Sequence, residues 1–156
     1  MSYQSGNRFT PKIIENLDLE NKSGMYGIKE WVEHNGYTYE TLYNRYIDSF
    51  VKEAYPTKEG ITFADFKAEI DAGRPAILHL EGHSMVAYGY TEPDTVYVHD
   101  TGSEGEHTMT WGGTYSFGTH SHAHRAMTLL TVSGGSAEPG ETGNSALPAI
   151  LPLLLD

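Results

Sequence analysis

The sequence of 156 residues contains no cysteine. Without thiols, the chain has no disulfide bond, no thiolate metal site and no thiol nucleophile. Basic residues are also scarce, because 10 Lys and Arg stand against 21 Asp and Glu and give a formal net charge of −11. A chain this acidic repels phosphate backbones, so nucleic acid is excluded as an expected partner.

Long apolar runs are missing as well. No stretch approaches the roughly 18 apolar residues that a membrane span needs, and the N-terminal region shows no signal peptide. The hydrophobic fraction of 38% is nevertheless high enough for a folded core, and the length fits one domain. Either the protein stays in the cytoplasm, or the sequence is a mature or truncated segment of an exported protein; we expect a secreted or cell-surface location.

The first half of the chain has helical patterns. Thr10-Pro11 is typical of a helix start, with Thr10 as the N-cap. Ser23 and Gly24 lead into a second predicted helix at 25–34, and Asn35-Gly36 ends it. Thr62 is predicted to cap a third helix, with Asp65 at the capping-box position.

The second half has the pattern of β structure. Residues 37–43 already alternate as a half-exposed strand does. Five further strands are predicted between turns rich in Gly, Pro and Asp. They lie at 75–81, 84–90, 95–99, 107–111 and 126–132. Helices followed by an antiparallel meander predict an α+β domain over residues 1–132, with a helical part at 1–73 and a sheet part at 74–132.

The end of the sequence differs in composition. Residues 133–146 are rich in Gly, Ser, Glu and Pro, which is typical of a flexible linker. Residues 147–156 form an apolar tail that is too short and too often broken by proline to span a bilayer. Three roles stay open for this C-terminal tail: docking on the domain or on a partner, self-association, and the start of a sorting anchor.

Two residues at the ends of predicted strands point to acid–base chemistry. His83 follows Gly82 and opens a strand, and Asp100 follows the strand at 95–99. Because Gly82 has no side chain, a substrate or a neighbouring backbone can approach the imidazole. A carboxylate bonded to one ring nitrogen would fix the tautomer and leave the other nitrogen as a base. We therefore predict His83 and Asp100 as a catalytic pair; the alternative is a histidine satisfied at a strand end.

This segment resembles the bacteriocin-processing (double-glycine leader) peptidases of the papain-like cysteine peptidase superfamily. The matching motifs are Gly73-Arg74-Pro75, Gly82-His83, Gly89-Tyr90 and Val96-Tyr97-Val98-His99-Asp100. The resemblance spans roughly residues 24–132 and is most specific over 73–100. It implies a papain-like fold with N-terminal helices packed on an antiparallel sheet, peptide-bond hydrolysis, and a peptide or protein as partner. It also implies that His83 is the general base and that Asp100 orients it.

The resemblance further implies a nucleophilic cysteine that follows a glutamine at the start of a helix, and this chain has none. Setting Gln4 against that glutamine places Thr10 in the nucleophile's position. Setting Phe9-Thr10-Pro11 against the family's Cys-x-Pro places Phe9 there instead. We favour a third interpretation, in which the catalytic helix is missing from this segment. The chain as written is then expected to be inactive, a nucleophile-less relative or fragment that still binds peptide.

A second group of residues suggests a non-enzymatic alternative. His120, His122 and His124 alternate, so on one strand they would share a face with neighbours roughly 7 Å apart. With His107 or Asp100 nearby, such a face predicts a zinc- or copper-type site, unless it is only a polar, histidine-rich strand. The rival function is therefore a non-enzymatic secreted module, for which metal binding through these histidines and self-assembly are both open. Beyond such a metal ion, the sequence implies no cofactor.

The remaining histidines and large aromatic residues are interpreted as surface or packing residues. The histidines of this group are His34, His79 and His99. The aromatic residues are Trp31, Trp111, Tyr88, Tyr90 and Phe117, for which core and rim packing is favoured over the lining of a peptide groove.

Overall fold

The computed structural model describes residues 8–134, where it has four α-helices and seven β-strands. The helices are α1 (Pro11–Asn16), α2 (Gly24–His34), α3 (Asp48–Ala54) and α4 (Phe63–Asp71), with a short 3-10 turn at Glu20–Lys22. The strands are β1 (Tyr37–Tyr46), β2 (Ala76–Leu80), β3 (His83–Thr91), β4 (Thr95–His99), β5 (His107–Thr110), β6 (Thr114–Phe117) and β7 (His120–Gly134). Gln4, the rest of the expected linker and the apolar tail at 147–156 lie outside the described residues.

The strands form one sheet in which every pair is antiparallel. Its order is β1-β7-β2-β3-β4-β5, and β6 pairs with the first part of β7. Helices combined with a large antiparallel sheet make this an α+β domain, as the sequence predicted.

The predicted helix starts are confirmed. The Thr10 hydroxyl accepts the amide of Ile13 at 3.4 Å at the start of α1. Thr62 and Asp65 form a reciprocal capping box, in which each side chain accepts the other residue's backbone N–H. None of the helices within residues 8–134 is long and apolar enough to cross a membrane.

Apolar side chains cover both faces of the sheet. Neighbouring residues of a strand point to opposite faces, so Leu42 packs with α1 and α2 while Tyr43 packs with the other cluster. On the first face, Leu42 joins Ile14 of α1 and Met25 of α2. On the second face, Phe66 of α4 packs among the residues of the main core. Those core residues include Leu78, Met85, Ala87, Val96, Val98, Met109 and Met127.

The predicted strand at 126–132 is longer in the structure, and β6 was not predicted. The register between β2 and β7 shifts where His79 faces Ala126 and Leu80 faces His124, which leaves Arg125 as an extra residue. Before this bulge β7 pairs with β6, and after it β7 pairs with β1. β7 also continues to Gly134, two residues into the segment expected to be a linker.

Candidate functional site

His83 lies at the first position of β3 because a tight turn precedes it. Leu80 of β2 pairs with His83, so only Glu81 and Gly82 connect the two strands. Gly82 has φ +76°, a left-handed conformation that glycine adopts without steric cost. Gly82 therefore forms the turn between β2 and β3. This turn places the half-buried imidazole of His83 at the end of the sheet.

Asp100 directly follows β4 and lies beside His83, as the sequence predicted, but the contact uses a different oxygen. His83 Nε2 donates to the main-chain carbonyl of Asp100 at 2.8 Å. Because a carbonyl only accepts, the hydrogen of the neutral ring is on Nε2, and Nδ1 carries a lone pair. Among the described residues, Nδ1 has no hydrogen-bond partner. The arrangement thus leaves one basic nitrogen available.

The Asp100 carboxylate points to other donors, which corrects the expected carboxylate–imidazole contact. Asp100 is 1% exposed. Its Oδ1 accepts the amides of Gly102 at 3.0 Å and Ser103 at 2.9 Å, and its Oδ2 accepts the hydroxyls of Ser103 and Tyr115, both at 2.7 Å. Burial by itself raises the pKa of this carboxyl, but the hydrogen bonds from Tyr115, Ser103 and Gly102 outweigh burial and hold the pKa well below its usual range. The group is therefore an anion at neutral pH.

Two aromatic rings border His83. Phe117 stacks on the imidazole with ring centroids 5.7 Å apart and planes 15° apart, yet it is 38% exposed. It belongs to the site surface and not to the core. The ring also rests on Gly102, where an added Cβ would lie 2.3 Å from Phe117 Cζ. His122 lies on another side of His83, with ring centroids 5.8 Å apart.

Sequence reasoning did not identify Ser103 and Tyr115 as part of the site. Asp100-Thr101-Gly102-Ser103 is typical of a turn in which an aspartate side chain accepts nearby amides, so this composition is a usable signal for Ser103. Tyr115 reaches Asp100 from β6, and the two-residue Gly118-Thr119 turn between β6 and β7 is a local hairpin signal that was not used.

Thr10 and Phe9, the two residues that alternative alignments place at the nucleophile's position, both make contacts that stabilise the fold. Thr10 caps α1 through its hydroxyl. The backbone of Phe9 pairs with Asn44 of β1, with N–O distances of 2.7 and 2.8 Å. Neither residue type supplies a group comparable in acidity to a thiol.

The expected metal triplet is not assembled. Within residues 8–134, no group of three or more His, Asp or Glu side chains is placed to hold a metal ion. His124 is 1% exposed, and both its ring nitrogens are used by the main chain: Nδ1 accepts from Gly112 and Nε2 donates to Ala126. His122 Nδ1 donates to the Glu81 carbonyl at 2.6 Å, and its ring lies 6.4 Å from that of His120. His124, the last histidine of the triplet, therefore lies in the core and has no ring nitrogen left to bind a metal ion.

Comparison with known proteins decides the family. The model of the Peptidase_C39 like family matches residues 4–122, which is most of the chain. The chain belongs to the Peptidase_C39 like family. This membership confirms the resemblance drawn from the Gly-His and Val-Tyr-Val-His-Asp motifs and supports a papain-like, peptidase-related domain. No curated protein and no solved structure matches the chain.

Membership of the Peptidase_C39 like family makes the absence of cysteine more significant. The match includes both His83 and Asp100, so the imidazole and the acid occur here without a thiol anywhere in the 156 residues. Thiol-dependent peptide hydrolysis is therefore not available to the groups of this sequence.

Proposed function

We propose that this member of the Peptidase_C39 like family has a papain-like fold and binds peptides around His83 without hydrolysing them through a thiol. The observation that carries the proposal is the orientation of His83. Its Nε2 is fixed by the Asp100 carbonyl, and its Nδ1 keeps an unused lone pair. In a chain without cysteine, that lone pair is free to accept a hydrogen bond from a ligand instead of a proton from a nucleophile.

The surroundings of His83 suit a peptide. Phe117 offers an exposed apolar ring beside the imidazole, which a peptide side chain can cover. An open depression of about 420 Å³ borders the loop that follows Asp100 and is lined by residues 99 and 101–105. Its volume falls within the range typical of small ligand sites.

Binding and cleavage are tested together. A synthetic leader-type peptide ending in Gly-Gly is titrated into the chain by calorimetry, and the mixture is then analysed by mass spectrometry. We expect saturable binding and an intact peptide after prolonged incubation. No heat of binding over a range of peptide lengths would contradict the proposal, as would peptide fragments whose formation depends on His83.

Two histidine variants sharpen the test. His83→Ala removes one hydrogen-bond acceptor worth about 1 kcal/mol, so we expect peptide affinity to fall about five- to tenfold. His34→Ala removes an exposed imidazole at the end of α2 and should leave affinity unchanged. Equal effects of the two substitutions would mean that the peptide binds elsewhere.

A further inference from the structure

We infer that Tyr115 is a positioning residue: its hydroxyl holds the Asp100 carboxylate away from His83, so that the Asp100 main-chain carbonyl orients the imidazole. The importance of this for ligand binding rests on the proposed function, but the geometry itself does not.

The Asp100 carboxylate is fixed from two directions. Tyr115 reaches it from β6, and its hydroxyl donates to Oδ2 at 2.7 Å from a side chain that is only 8% exposed. Ser103 and Gly102 reach it from the loop after β4. Each Asp100 carboxylate oxygen therefore accepts two hydrogen bonds, and these bonds hold the carboxylate against the loop and β6.

The loop backbone explains why the carbonyl faces His83. Thr101 has φ +62°, which is unfavourable for a β-branched residue. This angle sets the direction of the peptide group between Asp100 and Thr101, and that group includes the Asp100 carbonyl. The hydrogen bonds of the Asp100 carboxylate to Gly102 and Ser103 keep the loop in this unfavourable form. Tyr115 anchors the same carboxylate to the sheet.

Tyr115 remains a donor over the physiological range. Burial first, and then the hydrogen bond to the Asp100 anion, raise the pKa of the Tyr115 phenol to about 12. The hydroxyl therefore keeps its proton at neutral pH and continues to hold the carboxylate.

The tautomer of His83 reports this arrangement directly. In the ligand-free 156-residue chain, NMR of the ring nitrogens, recorded on the neutral imidazole, should show the His83 hydrogen on Nε2. Tyr115→Phe removes only the hydroxyl, so the loop should loosen, the two tautomers should mix, and the two ring-nitrogen resonances should move toward each other. Tyr90→Phe is the matched control, because Tyr90 donates to the Asp71 carboxylate at 2.9 Å on another part of β3. It should leave the His83 signals unchanged.

Two further variants separate the explanations. Ser103→Ala removes the other hydroxyl at Oδ2 and should shift the His83 signals in the same direction, which keeps the test valid should Tyr115→Phe not fold. Asp100→Asn keeps the side-chain shape but replaces one accepting oxygen with an NH2 donor, which must face either the two loop amides or the two hydroxyls, so it should also mix the two tautomers. The inference is overturned when Tyr115→Phe and Ser103→Ala both leave the tautomer intact. Because no peptide is present, failure of the proposed binding function leaves this result unaffected.

Discussion

Two imidazoles, those of His79 and His124, are kept neutral by the core. Burial lowers the pKa of His124 to about 4; the Ala126 carbonyl acts in the opposite direction, and the neighbouring His79 adds a smaller lowering effect. Burial also lowers the pKa of His79. The His79 ring is satisfied in its neutral form, since Nε2 donates to Thr128 and Nδ1 accepts from Ser84. A proton on His124 Nδ1 would break the hydrogen bond from the Gly112 amide, because that amide can only donate.

We expect the free energy of unfolding to decrease as the pH falls from about 6.5 to about 4. Unfolded His124 binds a proton near its ordinary pKa of 6.5, whereas folded His124 does so only near 4, so the unfolded state holds more protons between these values. At about 1.4 kcal/mol per pKa unit, the loss is about 3 kcal/mol and is complete below the lower value. Denaturant titrations at a series of pH values measure it.

His124→Gln provides the control for this pH dependence. The substitution removes the titrating group while keeping a polar side chain, so the variant should lose less stability over the same pH window. Parallel pH profiles of the two proteins would show that His124 is not responsible.

At the scale of single elements, α4 depends on its first turn. Thr62 and Asp65 bond each other's backbone amides, and the helix then presents the fully buried Phe66 to the core. The ring of Phe66 stacks on Trp111 with centroids 5.2 Å apart. The capping box thus fixes where the helix begins and which face packs on the sheet.

Thr62→Ala should lower the free energy of unfolding by about 1 kcal/mol, because an amide at the helix start loses its side-chain acceptor. Urea denaturation followed by circular dichroism measures this change. Thr62→Ser keeps the hydroxyl and should retain most of the stability. A loss as large for Ser as for Ala would point to the missing methyl group instead of the cap.

For the whole molecule, the dominant electrostatic feature is the net charge of −11. Several surface cations are already paired with carboxylates, for example Lys29 with Glu33 and Arg74 with Glu69. The excess carboxylates repel one another in the compact state, and added salt screens this repulsion.

We therefore expect the thermal unfolding midpoint to rise when sodium chloride increases from about 0.01 M to about 0.15 M, where the Debye length falls from about 30 Å to about 8 Å. Differential scanning calorimetry records the midpoint. A double variant, Glu104→Lys with Glu106→Lys, makes the exposed loop less acidic and should show a weaker dependence on salt. A midpoint that falls with salt in the unmodified chain would mean that favourable ion pairs outweigh the repulsion.

The local features of this protein could be predicted from the sequence. The caps at Thr10 and Thr62, the turn at Gly82 and most strand positions follow from nearby residues, because capping, turn chemistry and alternation are short-range effects. The Gly-His and Val-Tyr-Val-His-Asp motifs indicated the peptidase family. They also predicted that His83 lies beside Asp100, because the start of β3 and the end of β4 lie at the same edge of the antiparallel sheet.

Which atoms of His83 and Asp100 meet depends on contacts between strands and could not be predicted from the sequence. The choice between the Asp100 carbonyl and its carboxylate depends on the contact of Tyr115 with Asp100, two residues that are 15 positions apart in the sequence. His124 was likewise separated from His122 by the packing of the core and not by its spacing in the chain. Contacts between residues distant in sequence depend on strand pairing and burial, and no short-range rule specifies them.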